Sequence, residues 1–398
     1  MKTKYVLPIL LAIDTLILVF EANGLSISYI EAKNYLEFNS LTGYLSHIFT
    51  YFFGQNDISF RMTMIVLHIF SVLLLYKLSF WYLKREKERL FLVVIYMLLP
   101  GVMSSAILVN SAGFVIFATF LFLYIYKSLK DKLYSYALLI LYSVLDNSFS
   151  YLFLGLFFYA LHVKDKKFMI LNMILIIINV YIYGTDIGGF PTGHFLDALG
   201  IYAAIFSPVI FIYLFYSLYR AFLTKQTDIL WYISSVALIF SLLLSLRQRV
   251  HIEYYAPFVI PSILIGAKVF ISSYKVRLPI FRKRYRLLFN LSVLFLFINF
   301  VLVLFNKSLY VYIKNPKKHF AYNNHIAKEL AYKLKQNNIT CVKTNYKMQE
   351  RLEFYGIKEC NNNILSYYKT NNSIDVTISY NNIPVYIAYV TKINKKNI

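Results

Sequence analysis

Long apolar runs alternate along this chain with short basic turns. The runs occupy roughly 5–22, 62–82, 90–108, 112–127, 133–146, 149–163, 168–184, 201–219, 229–246, 255–273 and 287–305, read against the ~20 residues a spanning helix needs. After every second run comes a turn such as KREKER (84–89), KSLKDK (127–132), KDKK (164–167), RAFLTK (220–225) or KVRLPIFRKRYR (275–286). With Lys2 and Lys4 these turns hold twenty Lys or Arg, whereas the opposite turns hold about four, Lys33, Arg61, Arg247 and Arg249. Such an asymmetry places the basic side in the cytoplasm. The pattern predicts an all-α polytopic bundle of about eleven transmembrane helices over 1–305. Its N-terminus is cytoplasmic, and everything beyond 305 lies outside.

Residues 133–163 strain this scheme, because 31 residues of helix reach only about 46 Å. A single tilted span would fit by length but would carry KDKK to the wrong side. Two short helices turning at LDNSFS (145–150) keep the charge asymmetry, and such helices leave a cavity open to one side. The outer loop 23–60 has its own order. In LTGYLSHIFTYFF (41–53), Leu41, Tyr44, Leu45, Ile48, Phe49 and Phe52 recur at helical spacing, with Thr42, Ser46, His47 and Thr50 opposite. This predicts an amphipathic helix in the membrane interface. Beyond 306, AYNNHIAKELAYKLKQ reads as an amphipathic helix, ITCVKT as a strand and DVTISYNNIPVYIAYV as a hairpin turning at Asn-Asn. The 306–398 segment is thus expected to be a small α/β extracytoplasmic domain.

Composition agrees with a membrane protein. Of 398 residues 59% are hydrophobic and only 15% charged, against about a quarter charged in soluble domains. The net charge of +22 raises nucleic acid as a partner, but basic residues cluster in short runs between apolar runs, which makes that the weaker reading. The first run lacks a small-x-small cleavage site and is long enough to remain as a span. The expected localisation is a bacterial inner (cytoplasmic) membrane.

Polar residues that composition does not require collect on the outer side. SYIEAKNYLEF (28–38) carries Glu31 and Glu37. SLRQRVHIEYYAPFVIP (245–261) packs Arg247, Arg249, His251, Glu253 and Tyr255 into nine residues. Guanidinium forks suit phosphate oxygens, so these two Arg bind either a phosphate ligand or, equally well on chemistry alone, lipid headgroups or Glu253. Asp14 falls mid-span, where an ionisable group marks a functional-site hypothesis, although a carboxyl bonded to a Tyr is the commoner case. His47, His194 and His251 share no metal-ligand spacing, so no metal is expected. GTDIGGFPTGH (184–194) suggests a mobile outer loop without the Lys-Ser/Thr of a phosphate loop. Cys341 and Cys360 form a disulfide in an oxidising space or stay as thiols.

The order of motifs resembles one family. Phe53, Gly54 and Arg61 give an F-G-x6-R pattern after an acidic loop and interfacial helix, Leu98–Gly101 give LLPG, and Arg249, His251, Tyr254, Pro257 and Pro261 give R-x-H-x2-Y-x2-P-x3-P. This resembles the GT-C superfamily of integral membrane glycosyltransferases, in particular the protein mannosyltransferase and lipid A aminoarabinose transferase family, over roughly 5–305. The resemblance implies transfer of a sugar from a polyprenyl-phosphate carrier to a lipid, glycan or protein acceptor on the outer face, with no cofactor. It implies a base in the first outer loop and carrier contacts from Arg61, Arg247, Arg249, His251, Glu253 and Tyr255.

The match has departures. The family's Asp-Glu is here Ile30-Glu31-Ala32, so the base role falls to Glu31, or Glu31 pairs with Lys33 or Arg61 and the site is altered. A second acidic position is matched by Asn110 or Ser111, and a basic one by Asp146 or Asn147. Two further classes stay open, a lipid-linked saccharide transporter or polymerase and a non-catalytic relative. As an interfacial carboxylate, Glu31 is expected to contribute little to stability.

Overall fold

The computed structural model describes residues 5–37, 40–129, 131–184, 192–370 and 373–392. Lys2, Lys4 and residues 185–191 of the Gly-rich loop lie outside the described residues. The helices begin with α1 (Val6–Gly24), α2 (Tyr29–Glu37), α3 (Leu41–Phe53), α4 (Asp57–Ser79), α5 (Glu86–Leu98) and α6 (Pro100–Ile107). Next come α7 (Ser111–Ser128), α8 (Leu133–Tyr142), α9 (Phe149–Val163), α10 (Lys166–Tyr183), α11 (Phe195–Phe206), α12 (Pro208–Leu223) and α13 (Ile229–Ser245). The series closes with α14 (Ala256–Val259), α15 (Ile263–Val276), α16 (Pro279–Leu304), α17 (Ala327–Gln336) and α18 (Tyr346–Phe354). Strands β1 (Asn363–Ser366), β2 (Ser373–Tyr380) and β3 (Ile383–Lys392) follow.

Every apolar run of the sequence falls on a helix or helix pair. Among the described residues, α1, α4, α7, α10, the α14–α15 stretch and α16 are long and apolar enough to cross a membrane. Two runs read as straight spans are bent instead: α5 and α6 meet at 66°, α11 and α12 at 103°. Proline explains both breaks. It offers no N–H to the preceding turn and pushes the residue before it out of helical geometry. Leu99, before Pro100, is extended at φ −64°, ψ 125°, and Ser207, before Pro208, takes φ 68°, ψ 137°. Residues 133–163 do form two short helices, α8 and α9, joined by a turn over 143–148.

The chain divides into two compact units. The first comprises 1–15, 66–106 and 111–300. Within it α9 and α13 approach so closely at Gly155 that a Cβ there would lie 2.9 Å from the Ile233 Cα, the small-residue contact that holds helices together in lipid. Helix α16 keeps only Leu296 and Phe300 buried and shows a largely exposed apolar surface, as a lipid-facing helix does.

The second unit comprises 16–65, 107–110 and 301–398. The C-terminal segment is therefore not divided from the rest at 305 but packs with the first outer loop. Its antiparallel sheet has the order β1-β3-β2. Asn381 and Asn382 take φ 51° and 63°, the left-handed pair that a two-residue hairpin needs. Leu330, Leu334, Val376 and Val390 are in its core. ITCVKT, expected as a strand, makes only single bridges, Cys341 to Lys358 and Lys343 to Ile364, because its two flanks pair with different neighbours for one rung each. Cys341 and Cys360 are disulfide-bonded, with Cα atoms 5.5 Å apart.

Within SYIEAKNYLEF, Tyr29–Glu37 form a helix, α2, rather than a loop. Ser28 and Glu31 form its capping box: the Ser28 N–H donates to Glu31 Oε2 at 2.8 Å, and the Glu31 N–H donates to Ser28 Oγ at 3.3 Å, satisfying two N-terminal donors reciprocally. Helix α3 turns its polar side inward. Thr42, Ser46 and Thr50 are buried, while Tyr44, Ile48, Phe52 and Phe53 are 52–72% exposed. An apolar outer face of this kind fits a helix lying in the membrane interface.

Candidate functional site

In the first unit, the end of α13 and the turns after it build a pocket of about 170 Å³. Helix α13 stops at Ser245, and its last carbonyls are taken by the neighbouring segment: His194 N–H donates to Ser245 O at 2.8 Å and Thr192 N–H to Arg247 O at 3.0 Å. The chain then turns through a 3-10 stretch, Ile252–Tyr254, before α14. Pro257, in the first turn of α14, supplies a fixed φ where its missing N–H costs nothing. Arg249, His251, Tyr254 and Tyr255 line the pocket together with Asn147, Ser150 and Tyr151 from the start of α9. The Tyr255 ring is buried and stacks on Tyr151, centroids 3.9 Å apart, so it forms a fixed wall.

Of the nine-residue outer cluster, the pocket gathers Arg249, His251 and Tyr255. Arg247 and Glu253 are exposed and do not line it. His251 Nδ1 lies 3.8 Å from Glu253 Oε1. Neither Arg247 nor Arg249 is in an ion pair among the described residues, so the pairing with Glu253, one of the alternatives, is not made.

The α8–α9 turn brings a further carboxylate to this end of the unit. Asp146 Oδ1 accepts from Ser148 N–H at 2.9 Å, and its carboxylate also hydrogen-bonds Ser111 at the start of α7. Asn179 pins the turn by donating to Ser143 O at 2.9 Å and Asp146 O at 3.0 Å. The positions matched in sequence to the family's second acid and to its basic residue are thus in contact, with the acid on the other partner. Asp146 directly precedes Asn147 in the pocket lining.

The second unit contains Glu31 and Arg61, which pair with each other, one of the two alternatives the sequence left open. Arg61 is 1% exposed and all five of its N–H donors are used. Nε and Nη2 donate to Glu31 at 3.2 Å each, Nη1 to Ala22 O and Leu25 O at 2.8 and 2.7 Å, and Nη2 also to Ser26 O at 3.0 Å. Both Glu31 oxygens have a second donor, the Ser28 and Val109 N–H groups at 2.8 and 3.1 Å. Burial pushes the Glu31 pKa up, but the Arg61 charge and these hydrogen bonds outweigh it and hold the carboxyl below its usual range. An acid so held is a poor proton acceptor, and an Arg so saturated has no donor for a substrate phosphate. Lys33 pairs with Glu37 at 3.6 Å instead.

The C-terminal segment completes this centre with residues that no sequence signal marked. Arg351 Nε donates to Ile27 O at 3.0 Å, its Nη2 to Asn323 O, and Lys328 Nζ to Asn23 O at 2.7 Å. The carbonyls of Ala22, Asn23, Leu25, Ser26 and Ile27 are thereby all held by cations. This is the arrangement that a helix C-terminus favours, since its unpaired carbonyls carry partial negative charge. The Glu31 role was legible from the S-x-x-E spacing, but Arg351 lies too far along the chain for any local pattern.

Two other candidates resolve locally. Asp14 bonds His68 rather than a Tyr, at 2.8 Å, and His68 stacks parallel on Tyr96. His47 Nε2 lies 2.6 Å from Tyr35 O and its ring stacks on Tyr35. Among the described residues no group of three or more His, Cys, Asp or Glu could hold a metal.

No family model matches the chain, and no curated protein matches it by sequence. In structure it is similar to ArnT from Cupriavidus metallidurans, crystallised in the apo state. The TM-score is 0.57 at 11% identity, and the match covers 96% of this chain and 97% of ArnT. The fold is therefore shared with ArnT: a bundle of apolar helices with a small C-terminal α/β part.

Proposed function

We propose that this chain is a membrane glycosyltransferase that binds a polyprenyl-phosphate-linked sugar at the Arg249 pocket and moves the sugar to a lipid, glycan or protein acceptor. The observation that carries the reading is Arg249 lining a concave site beside His251 and Tyr255 with no ion-pair partner among the described residues, in a fold shared end to end with ArnT. The acceptor hydroxyl oxygen attacks the anomeric carbon and the bond from that carbon to the phosphate oxygen breaks. Arg249, with Arg247 at the edge, stabilises the charge on the departing polyprenyl phosphate. The hydroxyl proton passes to a carboxylate. Asp146 is the better base than Glu31, because Glu31 is locked by Arg61 whereas Asp146 adjoins the pocket and bonds no cation among the described residues. Glu31 and Arg61 instead fix the first outer loop.

Transfer from a labelled polyprenyl-phosphate sugar by the purified protein in vesicles tests this. Asp146→Asn is expected to lower the rate by about 10²–10⁴ while carrier binding persists. Unchanged transfer in this variant would remove Asp146 from the role. A second reading, a non-catalytic carrier-binding relative, is favoured by the occupied oxygens of Glu31. Carrier binding by the wild type with no transfer to any acceptor class would select it.

A further inference from the structure

The first unit holds a larger cavity, about 540 Å³, between α5, α12, α15 and α16. It shares no lining residue with the Arg249 pocket. Its walls are apolar, Phe91, Ile95, Leu214, Phe270 and Phe289 among them, and charge is confined to the start of α5, at Lys87 and Glu88. Lys275 neutralises Glu88 at 3.3 Å, and Lys87 makes no ion pair among the described residues. Arg277 lies 4.1 Å over the ring of Tyr285, another wall residue. One wall, α16, is barely buried, with Leu288 63% exposed, so the cavity opens sideways where hydrocarbon would lie.

We propose that this cavity binds an anionic glycerophospholipid, with one acyl chain between α5, α12, α15 and α16 and the phosphate at Lys87 and Arg277. The volume lies within the roughly 300–1,000 Å³ of ligand-holding pockets. Apolar walls favour a hydrocarbon chain over water. The surplus of cations at one end selects a negative headgroup, the pattern of basic pockets between membrane helices. A guanidinium stacked on an aromatic ring is held in place yet keeps its N–H fork for phosphate oxygens. This site is independent of the glycosyl-transfer reading.

The test is native mass spectrometry of the full-length protein, delipidated in mild detergent and offered phosphatidylglycerol, phosphatidylcholine or polyprenyl phosphate. The wild type is expected to retain one phosphatidylglycerol in preference to phosphatidylcholine. Ala267→Phe, which places a ring in the cavity, should lower that retention by about tenfold or more. Should that variant fail to fold, Ser292→Phe fills the cavity from the opposite wall. Lys87→Gln and Arg277→Gln should each reduce the headgroup preference by about fivefold. Equal retention by the filled variants, no preference between headgroups, or displacement of phosphatidylglycerol by polyprenyl phosphate at the same stoichiometry would each overturn the proposal.

Discussion

The hydroxyl of Tyr355 donates to Asp57 at 2.5 Å and accepts from the Ile27 N–H at 2.8 Å. One phenol thus ties the start of α4 to the first outer loop, and Lys328 holds the other Asp57 oxygen at 2.9 Å. Tyr355→Phe leaves the Ile27 N–H buried without an acceptor, which costs about 1–3 kcal/mol. Thermal unfolding in detergent should show the loss, and Asp57→Asn should show a similar one.

Glu31→Gln should be strongly destabilising, against the small effect expected of an interfacial carboxylate. It strands the buried Arg61 charge, and removing one partner of a buried pair costs about 3–5 kcal/mol. The wild-type contribution also depends on pH. The folded Glu31 pKa is depressed, so its stabilisation is complete above the unfolded value of about 4.3 and fades as pH falls through the folded one. Acid titration of unfolding should show this loss in the wild type and lack it in Glu31→Gln.

Arg247→Gln and Arg249→Gln should differ in their effect on carrier binding. Arg249 lines the pocket, and losing one charge-assisted contact costs about 1.5–3 kcal/mol. Arg247, exposed at the edge, should cost less and its effect should diminish with salt. Affinity for a polyprenyl-phosphate analogue, measured in detergent at two ionic strengths, separates them. Unchanged affinity in the double variant would return both residues to lipid-headgroup binding.

The Cys341–Cys360 bond closes a loop of 19 residues, a constraint worth about 3 kcal/mol. Replacing both with Ser should lower the stability of the second unit by about that amount. Mass shifts after alkylation, with and without reductant, will report whether the pair is bonded in the membrane-extracted protein.

Orientation has its own test. Alkaline phosphatase fused after residue 310 should be active and a fusion after residue 132 inactive. The reverse pattern would invert the charge-based topology.

The spans were legible because burial in lipid demands long apolar runs, and 287–305 could scarcely be anything but α16. The corners at Pro100 and Pro208 were also written locally but were read through, since hydropathy averages over them. The Asn381-Asn382 turn was readable because few residues tolerate left-handed backbone at both positions. For the site, R-x-H-x2-Y named Arg249, His251 and Tyr254, which line one pocket. Glu31 misled because a carboxylate beside a membrane invites a catalytic reading, while the Ser28 three residues earlier signalled a helix cap. Nothing local could foretell that Asp14 meets His68 or that Ile27 meets Arg351 and Tyr355, since those partners are set by packing.

The first outer loop depends on residues made long after it. Ile27 and its partner Tyr355 are 328 positions apart, and Arg351 is 324 from the same residue. At about 5–20 residues per second on the ribosome, such a gap takes roughly 16–65 s to synthesise. Throughout that interval the carbonyls of Asn23 and Ile27 lack Lys328 and Arg351, and the Ile27 N–H lacks the Tyr355 hydroxyl. A chain stopped before residue 351 would therefore keep the apolar helices but lack the side chains that hold Ile27 at both its N–H and its carbonyl.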